Sequence, residues 1–258
     1  MTINKSVDRA MEILEYITAQ KRPVTITEVS SKLKIPKSST HSILYTLAAR
    51  HFLEIDDENL KTFQIGFKLF ETGVSYLENT QLHQIAHPLL KNLMEECGET
   101  VFLAVENEGR LVFLDSLETS TPLHTTARLG RAETPLYCSG LGKALLAAFP
   151  DDEVRRIVDK DNFKAITQNT VRNFAELNKE LEKTRERGYA LDNREANSDL
   201  VCVAAPIRDQ SGQPVAAISI ATPYFKMDSK QIRRFSELIK TTALAISRRV
   251  GYQGETTY

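Results

Sequence analysis

A chain of 258 residues, 41% of them apolar, can bury a large core yet exceeds the usual single-domain size, so two domains are expected. Its net charge of -1 excludes a uniformly basic surface, and Cys97, Cys138 and Cys202, odd in number and widely spaced, exclude a simple disulfide framework and any CxxC metal or redox site. No apolar run approaches membrane-spanning length and Met1 to Ser6 has no signal-peptide core, which predicts a cytoplasmic protein with no membrane partner.

Val7, Ala10, Leu14 and Ile17 recur at helical spacing and predict a first helix. Val24 to His51 then reads as two short helices joined by a tight turn, the outline of a helix-turn-helix. Thr25 can cap the first of these through its side-chain oxygen while Glu28 reaches back to the cap's own N–H, with Val24 and Val29 at the two staple positions. Lys34-Ile35-Pro36 breaks the pattern, because Pro disfavours helical geometry in the residue before it and suits a helix start. From Pro36 to about Arg50 the second helix buries Thr40, Ile43, Leu44 and Leu47, which turns Ser38, His41, Ser42, Tyr45 and Ala49 outward. A solvated helix normally carries Glu and Lys there, whereas short hydroxyl-bearing and aromatic polar groups suit base edges and phosphates in a major groove. The competing reading is an ordinary helical hairpin with a polar outside. Lys37 sits at the helix N-terminus against the dipole, a cost that a nearby phosphate would offset.

Leu53-Glu54-Ile55-Asp56 and Thr62-Phe63-Gln64-Ile65 alternate apolar with polar around a turn containing Asn59, predicting a two-stranded wing and a complete winged helix-turn-helix over 1–66. Lys21 to Arg50 holds six cations against Glu28 alone, a net of +5, whereas the wing carries Glu54, Asp56, Asp57 and Glu58 with Lys61 at its tip. DNA contact is therefore assigned to the recognition helix and its flanks, through Lys37, Ser38, Ser39, His41, Ser42, Tyr45, Arg50 and Lys61, with the acidic wing strand facing away or limiting affinity.

Phe67, Leu69, Phe70, Val74 and Leu77 are spaced for a partly buried linker helix over 67–80. A second helix, with Leu82, Ile85, Leu89, Leu90, Leu93 and Met94, ends near Gly98, and the two are a natural place for dimer contacts. Residues 81–258 read as a sensor domain. Strands are expected at Thr100 to Val105, Arg110 to Leu117, Leu123 to Arg128, Tyr189 to Asp192, Val201 to Ile207 and Val215 to Ala221, with helices at about Gly140 to Phe149, Asp151 to Val158, Phe174 to Gly188 and Asp228 to Gly251. The economical architecture is α+β, an antiparallel sheet with flanking helices.

Pro36-Lys37-Ser38-Ser39-Thr40-His41, Phe63-Gln64-Ile65-Gly66, the run from Pro135 through Gly140-Leu141-Gly142-Lys143 to Ala147, Gly188-Tyr189-Ala190-Leu191-Asp192 with Glu195, and Cys202-Val203-Ala204-Ala205-Pro206 together resemble the isocitrate-lyase-regulator (IclR) family of bacterial transcription factors. The resemblance spans nearly the whole chain and implies a winged helix-turn-helix, a linker helix and a GAF-like effector domain, in dimers or dimers of dimers that answer to small organic acids. Leu69-Phe70-Glu71-Thr72-Gly73, Arg128-Leu129-Gly130-Arg131 and Ile246 to Tyr252 are similar to the KdgR-type subgroup, which implies a repressor controlled by 2-keto-3-deoxygluconate or a related sugar acid; an aromatic or short-chain keto acid is the alternative. The resemblance implies effector contacts at the backbone amides of Gly140 and Leu141, at Asp192 and Cys202, and at the strand bearing Ser219 and Ala221, and Leu129 is expected to join Leu141 and Cys202 as the apolar wall. Ser42 stands where the family usually has Arg, His51 where a helix-ending Gly is usual, Asp199 and Val201 where a Gly and a polar residue are frequent, and Ala221 where some members have Ser.

Gly140 and Leu141 also make sense without the resemblance, since free N–H groups and the dipole at a helix start suit a carboxylate; an ordinary glycine-rich helix start is the bland alternative. Asp192 could equally be a surface carboxylate at a strand end, and Cys202 a small buried hydrophobe. An enzyme is disfavoured. Tyr137 and Ala144 occupy positions where a phosphate loop needs Gly and Ser or Thr, and no GxSxG elbow surrounds Cys138 or Ser139. His83 and His87, four apart, have no supporting carboxylate motif and read as a polar helix face, so no metal and no cofactor is expected. A pure scaffold would explain the helices but not the paired glycines.

Overall fold

The computed structural model describes residues 3–57, 60–79, 81–120, 125, 129–130, 134–158 and 163–258. They divide into two compact units, Met1–Asn79 and Thr80–Tyr258.

The first unit runs α1 (Lys5–Gln20), β1 (Val24–Thr25), α2 (Ile26–Leu33), α3 (Lys37–Ala49), β2 (Leu53–Asp57), β3 (Thr62–Ile65) and α4 (Phe67–Asn79). Its core joins Ile13 and Ile17 of α1 to Val24, Val29, Ile35, Leu44, Leu53 and Phe63. Two expectations need correction. Val7 is exposed, as is every residue from Ile3 to Asp8, so the buried stripe of α1 starts one turn later and runs through Ile13. The wing is also three-stranded, in the order β1-β3-β2, because Val24 and Thr25 pair with Phe63 and Thr62. A two-residue strand carries no periodicity by which it could be recognised. The wing turn at Asn59 lies outside the described residues. Gly66 closes the wing where a Cβ would overlap the His51 carbonyl oxygen, and His51 takes the left-handed conformation, φ 61°, usually left to glycine.

The second unit contains α5 (Gln81–Cys97), β4 (Thr100–Asn107), β5 (Arg110–Leu117), α6 (Gly140–Ala148), α7 (Asp151–Val158), α8 (Phe174–Arg187), β6 (Ala190–Asn193), β7 (Leu200–Arg208), β8 (Pro214–Pro223) and α9 (Ser229–Arg249). The sheet is antiparallel, in the order β5-β4-β8-β7-β6. β4 and β5 meet through Glu108 (φ 52°) and Gly109 (φ 79°), both left-handed, as a tight two-residue hairpin turn demands. α5 and α9 pack against each other and on the sheet, and α6 packs against β6, β7 and β8. Buried on both faces, the central strands read as near-continuous apolar runs, Val201 to Ile207 and Ala216 to Ala221. The strand expected over 123–128 falls outside the described residues except for Thr125, which is not in a strand. Among the described residues no helix is long and apolar enough to cross a membrane.

Candidate DNA interface and effector site

The helix-turn-helix is built largely from its own short-range bonds. The Thr25 hydroxyl accepts from the Glu28 amide at 3.2 Å, capping α2. The reciprocal half of the expected capping box is absent: the Glu28 carboxylate instead accepts from Arg22 at 2.6 Å and from the Tyr16 hydroxyl at 3.0 Å. Held chiefly by that guanidinium, Glu28 titrates below the usual carboxylate range. The turn is fixed by the Ser30 hydroxyl donating to the Ile35 carbonyl at 2.7 Å and by Lys34 in the left-handed conformation.

Along α3, Thr40 and Leu44 are buried, whereas Lys37, Ser38, His41, Ser42 and Arg50 are exposed and Ser39 half-buried. The helix begins at Pro36 without a side-chain cap, so the amides of its first turn are not satisfied locally. They add to Lys37 as donors suited to a phosphate. Tyr45, expected to face outward, is half-buried: its ring lies 4.4 Å from that of His41 and edge-on to Phe63 at 5.4 Å. It joins the recognition helix to the wing core. Lys61 is exposed, beside the wing turn.

The effector residues converge on the sheet face beneath α6. Asp192 of β6 pairs in register with Cys202 of β7, which pairs with Ala221 of β8; one row away Ala190, Ala204, Ser219 and Phe102 align. Side chains two apart in a strand share a face, so Asp192, Cys202 and Ser219 all point to the side on which α6 lies. Gly140 rests across these two rows, since a Cβ there would come within 3.2 Å of the Cys202 Cβ and 3.5 Å of the Ala204 Cβ. Gly142 lies so close to the Leu136 backbone that a Cβ would overlap it. Both glycines thus have a packing cause. Ser139 caps α6 by accepting from the Gly142 amide at 3.0 Å, and its carbonyl takes the Lys143 amide, which leaves Gly140 and Leu141 as the first-turn amides that the helix cannot bond internally. Leu129 does not join them on this face: it is 54% exposed, and Gly130 beside it donates to the Phe113 carbonyl of β5, three strands from β7.

Asp192 is buried, not the surface carboxylate of the alternative reading. Burial raises its pKa to about 7, against the lowering effect of the Glu195 amide, 2.7 Å from Oδ1, and of the Lys143 charge. Sequence reasoning missed the charge that balances it. Lys143, fully buried, donates from Nζ to the Glu195 carboxylate and to the Leu191 carbonyl, each at 2.5 Å. Burial also pushes Glu195 up, and it pushes the Cys138 thiol up to about 12 and Cys202 well above its ordinary value, so neither thiol suits nucleophilic chemistry. The available signal was a lone Lys in the otherwise apolar Gly140 to Ala148, which demands a buried acceptor.

A family model described as the bacterial transcriptional regulator IclR C-terminal domain matches residues 74–248, and the IclR helix-turn-helix model matches residues 6–57. The chain is 32% identical to the transcriptional repressor IclR of Escherichia coli (strain K12) over 245 residues, 94% of this chain and 89% of that protein. It resembles the crystal structure of Thermotoga maritima IclR with a TM-score of 0.78 and 33% identity, covering 96% of this chain and 99% of that one. The C-terminal domain of the E. coli transcriptional regulator KdgR is 29% identical, TM-score 0.62, covering 67% of this chain and 100% of that one.

Proposed function

The chain belongs to the IclR family of bacterial transcriptional regulators and is not an enzyme, and within that family we propose that it is a repressor whose hold on operator DNA is controlled by a short sugar acid bound beneath α6. One observation carries this reading: the start of α6, whose Gly140 and Leu141 amides have no partner within the helix, rests on two neighbouring strand rows, one presenting Asp192 and Cys202 and the other Ser219. The amides and helix dipole suit the ligand's carboxylate. Asp192, with a pKa near 7, can accept from a ligand hydroxyl when ionised or donate to a keto oxygen when protonated, and the Ser219 hydroxyl adds a second polar contact. This polar pair favours 2-keto-3-deoxygluconate or a relative over an aromatic acid, and Cys202 and Leu141 supply the apolar wall. On the other unit, Lys37, Ser38, Ser39, His41, Ser42 and Arg50, with Lys61, make the DNA contact, while Tyr45 sets the pose of α3. Phe67 and Phe70, each 63% exposed on α4 rather than partly buried, become covered in a homodimer that spaces two readers about 34 Å, or a multiple of it, apart on one face of the duplex.

Calorimetry with 2-keto-3-deoxygluconate, pyruvate and benzoate, paired with anisotropy of operator DNA, tests this. Sugar-acid binding that releases DNA and is weakened in Asp192→Asn, a change that keeps the Oδ1 acceptor of the 192–195 turn, is expected. Micromolar benzoate binding with no response to the sugar acid would refute the effector assignment and leave the regulator standing. Lys37→Ala should lower affinity for all DNA sequences and flatten the salt dependence by about one unit of slope.

A further inference from the structure

At the edge of the effector-unit sheet, on residues that take no part in the effector reading, we propose a binding site for a zinc-class divalent cation made by His83 and His87 of α5 with Asp115 of β5. The proposal stands independently of the effector reading. Residues four apart share a helix face, so the two imidazoles project side by side, their ring centroids 5.6 Å apart. What the sequence lacked, a carboxylate, arrives from the neighbouring strand. Asp115 Oδ2 lies 3.3 Å from His83 Nε2 and 2.7 Å from His87 Nδ1, and the three donor atoms fall within 4.8 Å of one another.

Metal bonds of about 2.0–2.2 Å in a tetrahedron place neighbouring donor atoms about 3.3–3.5 Å apart. The His83–Asp115 separation already meets this, and the His87–Asp115 contact has to open by about 0.6 Å, exchanging a hydrogen bond for a shared cation. That movement is within side-chain rotation. Asp115 is held for the role: its side chain is only 11% exposed, and Oδ1 accepts from the Ser116 amide at 2.9 Å, which aims Oδ2 at the imidazoles. His83 and His87, at 24% and 49% exposure, leave a path for the ion and a fourth position for water. Two imidazoles and one carboxylate are a donor set suited to Zn²⁺, and weaker for hard cations such as Mg²⁺, which prefer an all-oxygen shell. A bound ion clamps α5, the first helix of the unit, to the sheet's edge strand.

Full-length protein stripped with chelator is titrated with zinc chloride by calorimetry, and with cobalt by visible absorption. One ion per chain, tetrahedral cobalt bands without thiolate charge transfer, and a raised melting temperature on loading are expected. Asp115→Asn and His83→Gln should each weaken zinc binding at least tenfold. Failure of the wild-type protein to take up zinc overturns the proposal, as does uptake that persists unchanged in a folded His83→Gln/His87→Gln variant. Should a variant not fold, wild-type stoichiometry and the cobalt spectrum still decide.

Discussion

Replacing Lys143 by Met tests whether the buried ammonium holds the effector unit together. The stem is replaced at similar volume, but the Glu195 carboxylate loses a partner at 2.5 Å and Asp192 loses the one nearby cation that favours its ionised form. Removing one member of a buried pair costs about 3–5 kcal/mol, because the remaining charge is left uncompensated. For a unit of this size, at about 2–4 °C per kcal/mol, the melting midpoint should fall by roughly 6–20 °C. The pH dependence adds a sign. Asp192 has a pKa of about 7 when folded, against an ordinary 3.8, so its contribution to stability is fully present below about pH 4 and is lost as pH rises through 7. Lys143 opposes the upward shift of both Asp192 and Glu195, and without it both move higher. The variant should therefore lose more stability at pH 8 than at pH 5.5. Urea unfolding followed by far-ultraviolet circular dichroism at the two pH values measures this, and Lys143→Met/Glu195→Leu should recover most of the loss. A single variant within about 1 kcal/mol of wild type at both pH values would refute the reasoning.

Tyr45→Ala removes ring contacts to His41 and Phe63 and should reduce both operator affinity and the stability of the first unit, whereas Tyr45→Phe keeps the rings and should retain both, as read by anisotropy and thermal melting. Gly66→Ala drives a Cβ into the His51 carbonyl and should destabilise the first unit by about 1–3 kcal/mol in denaturant unfolding. Phe67→Ser/Phe70→Ser should shift the protein toward monomer in sedimentation velocity and weaken operator binding at matched chain concentration; an unchanged sedimentation coefficient would place the dimer contact elsewhere.

The reading helix, the turn before it and the wing were legible because their causes are local. Thr25 bonds Glu28 three residues on, Pro36 stops one helix and starts the next, and the alternation of Leu53 to Asp56 and Thr62 to Ile65 marks two strands, although only Leu53 and Phe63 of their apolar residues are buried. The glycines were legible only as a helix start, because the surfaces they approach, Cys202 and Ala204 for Gly140 and the Leu136 backbone for Gly142, are brought there by the fold. What sequence alone left open depends on contacts between distant residues. Lys143 meets Glu195 across 52 positions, and His87 meets Asp115 across 28, so neither pair has a spacing that periodicity could detect. Apolar spacing marked one face of α4 but not what covers it, which is why Phe67 and Phe70 were expected to be partly buried and are exposed. Local propensity and capping act within a turn of helix or a pair of strands; the charge state of Asp192 and the company of His83 are set by desolvation and by neighbours that only the folded unit brings within a few ångströms.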